Sequence, residues 1–187
     1  METEVIHQLN GVNVDQLLQT IDLVKTDPDI AKFNFRAKTK WINGGHCQTE
    51  IKEFYGAKSE DNSRDKAFVL EGGEPPVLLG QNHGPNAVEA VLHAIASCLS
   101  VGFIYNAAAR GIHVRSLEFT TEGHLDLHAF LGLSDTTRPG YEGITVRYKV
   151  DADTSRENLT ELCNYVQRTS PVLDIIRNPV PVKVEME

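Results

Sequence analysis

The sequence has no cluster of basic residues, and that absence removes two kinds of partner. Its 18 Lys and Arg are scattered singly among 26 Asp and Glu, for a formal net charge of -8. A nucleic-acid surface needs concentrated positive charge, and an anionic membrane surface draws on the same kind of patch. Cysteine is also scarce: only Cys47, Cys98 and Cys163, widely spaced. An odd, dispersed set is no disulfide framework, and with no CxxC pair it is no zinc pattern. His83, His113, His124 and His128 show no ligand spacing, so no metal and no cofactor is expected. The opening METEVIHQLNGVNVDQ lacks the charged-then-apolar order of a secretory signal. No uninterrupted apolar run approaches the ~20 residues that cross a bilayer; the most apolar segment carries Glu89, His93 and Asn106. Internal repeats and low-complexity stretches are missing too. These absences point to a cytoplasmic protein with free thiols and no membrane partner.

What remains is an ordinary globular composition, 41% hydrophobic and 24% charged over 187 residues. That length suits one domain with a core of its own. Val14, Leu17, Leu18, Ile21 and Val24 follow the helical period, after a candidate Asn13 cap and before Asp27-Pro28. Residues 32–42, KFNFRAKTKWI, alternate as a half-buried strand, and Asn43-Gly44-Gly45 then turns into a second strand, CQTEIKEFYG. KAFVLEG reads as a third strand, and EGGEPPVLLGQNHGPN as loop.

A long helix follows, from Gly84-Pro85-Asn86 to Gly111. IHVRSLEFTTEGHLDLHAFL reads as a strand pair or one bent strand, and ITVRYKVDAD as a further strand. Thr154 and Glu157 have capping-box spacing ahead of ENLTELCNYVQRT, and Ser170-Pro171 opens one more helical turn. NPVPVKVEME closes the chain as a strand, edge-placed by its prolines. Strands arrive in hairpins, not in βαβ alternation. The expected class is α+β, with an antiparallel sheet wrapped around a long central apolar helix.

That helix is apolar or small on nearly every face, so it belongs inside the protein. One sheet does not cover it. A second copy packed helix to helix would, which makes an intimate homodimer the expectation; the N-terminal helix is the single-chain alternative.

Cys98 sits near the middle of this helix. A thiol there is either inert packing or a nucleophile, and a nucleophile needs a group that favours thiolate. Its neighbours at three and four positions, Ala94, Ile95, Val101 and Gly102, carry no charge. Any activating group must therefore come from another segment. Glu89 and His93 are four apart and share a face, as an acid-base pair or as mutual satisfiers. His46 and Cys47 follow the hairpin turn, as a cation and a second thiol or as plain turn residues. Cys163, with Leu159, Leu162 and Val166, fits a packing face, and Ser170 fits a helix cap.

Three features carry a resemblance: the order of elements, the segment GPNAVEAVLHAIASC and SPVLDII near the C-terminus. The chain resembles the family of osmotically inducible protein C and organic hydroperoxide resistance protein (OsmC/Ohr). Asn86, Ala87, Val88, Glu89 and Cys98 occupy the places of that family's helix motif. The resemblance covers the chain from about Phe33 onward, as a single OsmC-like domain over 1–187 with 1–30 as an N-terminal helical extension. It implies an intertwined homodimer with interfacial sites, where a helix cysteine attacks a hydroperoxide. A second cysteine before a Pro-Val pair resolves the product, helped by a hairpin arginine and a glutamate at the helix start. This chain departs from that set. Ser170 stands at the resolving place, His46 at or near the arginine, and Val88 at the glutamate of the organic-hydroperoxide branch, with Glu89 one position later.

The functional expectation is a thiol-dependent hydroperoxide reductase using Cys98, with Glu89 and His46 assisting. Because a hydroxyl forms no disulfide, an external thiol reductant would resolve the sulfenic acid, unless Cys47 or Cys163 does. The alternative is a non-catalytic protein that binds an apolar small molecule at the dimer interface.

Overall fold

A computed structural model describes residues 7–186, and alternation, caps and glycine turns divide these described residues into ten strands and four α-helices. Residues 1–6 of the expected N-terminal extension lie outside the described residues. The first described strands, β1 (Gln8–Leu9) and β2 (Val12–Asn13), form a hairpin over Asn10 and Gly11, whose φ angles are 53° and 77°. Positive φ at both turn residues is the geometry an Asn-Gly pair favours. Helix α1 (Val14–Thr26) follows as its periodicity predicts. It gives way to a short 3-10 turn at Pro28–Ala31, capped by the Asp27 side chain.

The strand expected over 32–42 is divided into β3 (Asn34–Phe35) and β4 (Lys38–Asn43), and the next one into β5 (His46–Ile51) and β6 (Phe54–Gly56). Each pair serves two sheets. β3 and β6 join β7 (Ser59–Asp61), where Arg36 is bonded to Glu60, while β4 and β5 join β8 (Phe68–Gly72). A strand whose neighbours change midway must break its ladder at the change.

Helix α2 (Ala87–Ala109) is the long apolar helix. Asn86 and Glu89 cap its start reciprocally: the Asn86 N–H donates to Glu89 Oε2 and the Glu89 N–H to Asn86 Oδ1, each at 2.9 Å. At its end the Gly111 N–H bonds to the Ala108 carbonyl and the Ile112 N–H to the Ala107 carbonyl, with Gly111 at φ 69°. This is the left-handed cap that glycine supplies. After it come β9 (Val114–His124), one continuous strand, and its antiparallel partner β10 (Gly143–Ala152). Residues 125–133, expected to extend this strand region, hold turns instead. Helix α3 (Arg156–Thr169) is capped by Ser155, one residue later than the Thr154 spacing suggests, and α4 (Pro171–Arg177) by Ser170.

Among the described residues all the ladders are antiparallel, distributed over four small sheets. The architecture is α+β. The expected closing strand does not form: residues 178–186 have no regular structure and no ladder partner among the described residues.

Contacts divide the chain into two units, one of Met1–Val14 with Leu92–Glu187 and the other of Asp15–Val91. The first unit holds the buried core. Ile95, Leu99, Phe103 and Ala107 recur every four residues along α2 and pack with Leu162, Cys163, Val166 and Leu173 from α3 and α4. Leu117, Phe119, Ile144, Val146 and Val150 of the β9–β10 ladder close over them. Gly102 lets the two helices approach: a Cβ there would sit 3.2 Å from Val166 Cγ1. α2 is 23 residues long and apolar enough in composition to cross a membrane, contrary to the expected shortness of its apolar run. Only one stripe of it is buried: Ile95, Leu99, Phe103, Ala107 and Ala108. Its other faces are partly open, with Val101 51% and Tyr105 49% exposed.

Leu162, fully buried among these helices, is the sharpest test of the core. Leu162→Ala is expected to cost ~2–5 kcal/mol, while Leu79→Ala, at 95% exposure, leaves stability nearly unchanged. Chemical denaturation of both variants checks this.

Candidate functional site

Cys98 lies one position before Leu99, so its side chain leaves α2 at the flank of the buried stripe and is half-buried. There it meets the α3–α4 junction. Cys98 Sγ is 3.1 Å from Ser170 Oγ, and Ser170 is 4% exposed. The Ser170 hydroxyl oxygen also accepts the Leu173 N–H at 3.2 Å, which starts α4. A hydroxyl has one proton and two lone pairs. With one lone pair taken by Leu173, its proton remains available for the sulfur. The sequence reading of Ser170 as a helix cap holds, and the structure adds the thiol contact that the capping pattern does not reveal.

Cys163 belongs to the core, as its packing face suggested, and is buried. Two donors reach its sulfur: Gln167 Nε2 at 3.6 Å and the Tyr148 hydroxyl. The bond to Cys163, then burial, pushes the Tyr148 phenol up to about 12. All three cysteines are free.

His46, Cys47 and Glu89 lie in the other unit. Glu89 is occupied in the capping box and exposed; His93, in the first unit, is exposed as well. Cys47 is half-buried on β5 opposite Gly72, with its sulfur in the space a Gly72 side chain would need. His46 begins a polar cluster that the sequence did not disclose. The β5–β8 register sets Gln48 directly opposite Glu71, and His46, two residues back, shares that face. Gln48 Nε2 donates to Glu71 Oε1 at 2.9 Å, and His46 Nε2 lies 2.7 Å from Glu71 Oε2. The His83 ring lies against that of His46, with centroids 4.1 Å apart and planes tilted by 35°. The Gln48 bond, followed by the His46 bond, holds the Glu71 carboxyl below the usual glutamate range.

An ionised Glu71 makes His46 Nε2 the protonated nitrogen and leaves Nδ1 free, the carboxylate–imidazole arrangement that fixes a tautomer. The cluster borders a cavity of about 280 Å³ lined by Ile42, His46, Glu74, Leu79 and His83 among others. Glu71 was not singled out in the sequence because its partners appear only once the register is known.

Three further histidines pair with carboxylates: His113 with Asp153, His124 with Glu122 and His128 with Asp126. Among the described residues, no group of three or more His, Cys, Asp or Glu is arranged to hold a metal ion.

The lowered folded-state pKa of Glu71 sets the sign of a pH effect. Its contribution to stability is present above the ordinary value of 4.5 and fades as pH falls through the lower folded value. Carboxyl-carbon NMR is expected to show Glu71 titrating below 4.5 and moving upward in Gln48→Ala.

No curated protein matches the chain. Among solved structures it resembles an OsmC-like protein from Mycoplasma pneumoniae, at TM-score 0.61 and 13% identity over 78% of this chain and 89% of the other. An OsmC-like protein of unknown function from Vibrio cholerae aligns at TM-score 0.57 and 13% identity over 75% and 92%. An organic hydroperoxide resistance protein OsmC from Legionella pneumophila aligns at TM-score 0.54 and 18% identity over 80% and 93%. These likenesses concern the fold. The OsmC-like protein family itself matches residues 80–185, which span α2, the Cys98–Ser170 pair and both helices after it. On that match the chain belongs to the OsmC-like protein family.

Proposed function

We propose that the protein is a cytoplasmic thiol-dependent hydroperoxide reductase acting through Cys98, and that it works as a homodimer. The observation that carries this reading is the 3.1 Å approach of Cys98 Sγ to Ser170 Oγ. Ser170 stands where the family resemblance places a resolving cysteine, and here it offers a hydroxyl to the sulfur. A hydrogen-bond donor at that distance favours the charge a reacting sulfur carries. The organic hydroperoxide resistance protein of similar fold supports the substrate class.

The proposed cycle has three steps. The Cys98 thiolate attacks the terminal oxygen of a hydroperoxide ROOH, the O–O bond breaks, and the alkoxide takes a proton and leaves as ROH. Cys98 becomes a sulfenic acid. With serine at position 170, a first external thiol condenses with the sulfenic acid, releasing water. A second external thiol reduces the mixed disulfide, regenerating Cys98 and leaving the external disulfide. Glu89 and His46 are proposed to assist, Glu89 by fixing the start of the reactive helix and His46 through its free Nδ1.

Purified protein supplied with an organic hydroperoxide and a dithiol is expected to consume hydroperoxide, and Cys98→Ser to lose all turnover above background. Ser170→Cys is expected to form a disulfide between Cys98 and the introduced thiol on treatment with one equivalent of hydroperoxide, visible as a loss of two hydrogens by mass spectrometry. Equal turnover in wild type and Cys98→Ser would remove the enzyme reading and favour a binder of apolar small molecules.

A further inference from the structure

The cavity of about 280 Å³ beside β5 has a carboxylate, two imidazoles and hydrocarbon in its wall, and no Lys or Arg. It lies wholly within the Asp15–Val91 unit. Its carboxylate is Glu74, which the proposed cycle does not use. Three contacts set that residue in place. The Glu74 carbonyl accepts the Asn82 N–H at 3.1 Å, closing the loop that follows β8. Gly80 packs on the same carbonyl so closely that a Cβ there would collide with its oxygen. The stem of Glu74 lies over the β4–β5 turn, where a Cβ on Gly45 would sit 3.2 Å from Glu74 Cγ. Thus held, the half-buried Glu74 carboxylate makes no hydrogen bond or ion pair among the described residues.

The titratable groups beside it are acceptors too. With its Nε2 proton on Glu71, His46 keeps a lone pair on Nδ1. His83, against the same ring, is a second imidazole, and a neutral imidazole carries one acceptor nitrogen. The two amides in the wall are neutral, and Ile42 and Leu79 supply an apolar side. A carboxylate without a cation disfavours an anionic guest. An alkylammonium head has three donors, a positive charge and no acceptor. It is the complement of this wall, and a short alkyl tail suits Ile42 and Leu79.

We infer that this cavity binds a small primary amine in its ammonium form. Glu74 is the counter-charge, His46 and His83 accept two of the ammonium protons, and Ile42 and Leu79 meet the hydrocarbon. The volume is at the small end for ligand pockets, which limits the guest to a short free amine. An alcohol of the same size offers one donor in place of three and leaves the Glu74 charge unanswered. Binding of this kind needs no reaction at Cys98.

The test titrates the full chain with butylammonium chloride at neutral pH and fixed ionic strength, followed by amide and imidazole NMR, with butanol and sodium butyrate as controls. Saturable shifts at Gly45, His46 and His83 are expected with butylammonium, and none with either control. Glu74→Gln is expected to weaken binding about tenfold, while Glu118→Gln, which removes an exposed carboxylate on β9, leaves it unchanged. Gly45→Ala keeps every charge but presses the Glu74 stem aside, and is expected to weaken binding severalfold. Far-ultraviolet circular dichroism checks that each variant folds. A lysine side chain carries the same head, so Nα-acetyl-lysine methylamide is titrated in parallel and is expected to bind more weakly than butylammonium. The same affinity is expected in Cys98→Ser, which separates this result from the fate of the hydroperoxide reading. Equal shifts with butanol, full affinity in Glu74→Gln, or tighter binding of the lysine compound overturns the inference.

Discussion

The four-residue stripe Ile95, Leu99, Phe103 and Ala107 on α2 is the constraint on which the thiol site rests. It fixes the helix rotation against α3 and α4, and a helix whose rotation is fixed has every neighbouring side chain aimed. Cys98 is adjacent to Leu99 in sequence and so flanks the packed seam without lying inside it. From that flank the sulfur reaches the short junction between α3 and α4, where Ser170 ends one helix and begins the next. The close approach at Gly102 serves the same end, since a side chain there would press on Val166 and hold α3 away.

The polar cluster in the other unit has a different origin. Helix packing has no part in it; the strand register does. Because successive residues of a strand point to opposite faces, placing Gln48 across from Glu71 also brings His46 onto the same face and sends Cys47 to the other. A shift of one residue would exchange the histidine for the cysteine beside the carboxylate. The bulge at the β4–β5 turn, where Asn43 rather than Ile42 faces His46, belongs to this arrangement.

Much of this was legible in the sequence, and the failures have physical reasons. The period of Val14–Val24, the glycine at 111 and the Asn43-Gly44-Gly45 turn marked their elements correctly because each is a local signal. The Asn10-Gly11 hairpin carries an equally local signal and passes unnoticed beside the longer pattern of α1. Breaks at Arg36-Ala37 and Lys52-Glu53 arise from a change of strand partner, which no local residue announces. The tail illustrates the converse: Val180, Val182 and Val184 alternate as a strand should, but a strand requires a neighbour as well as a pattern. Cys98 is marked as a candidate by its place in the helix. Its contact with Ser170 joins residues 72 apart, a relation carried by tertiary packing alone.

Ser170 holds two offices that pull against each other. As a hydroxyl it fastens the first turn of α4, accepting the Leu173 N–H in a way a thiol does far less well. As a neighbour of Cys98 it stands where a sulfur could take up the oxidising equivalents left by the proposed reaction. On the proposed reading, oxygen at this position secures the helix and leaves a thiol outside the chain to supply the two electrons. Its turnover would then follow the supply of cellular thiols as closely as the supply of oxidant.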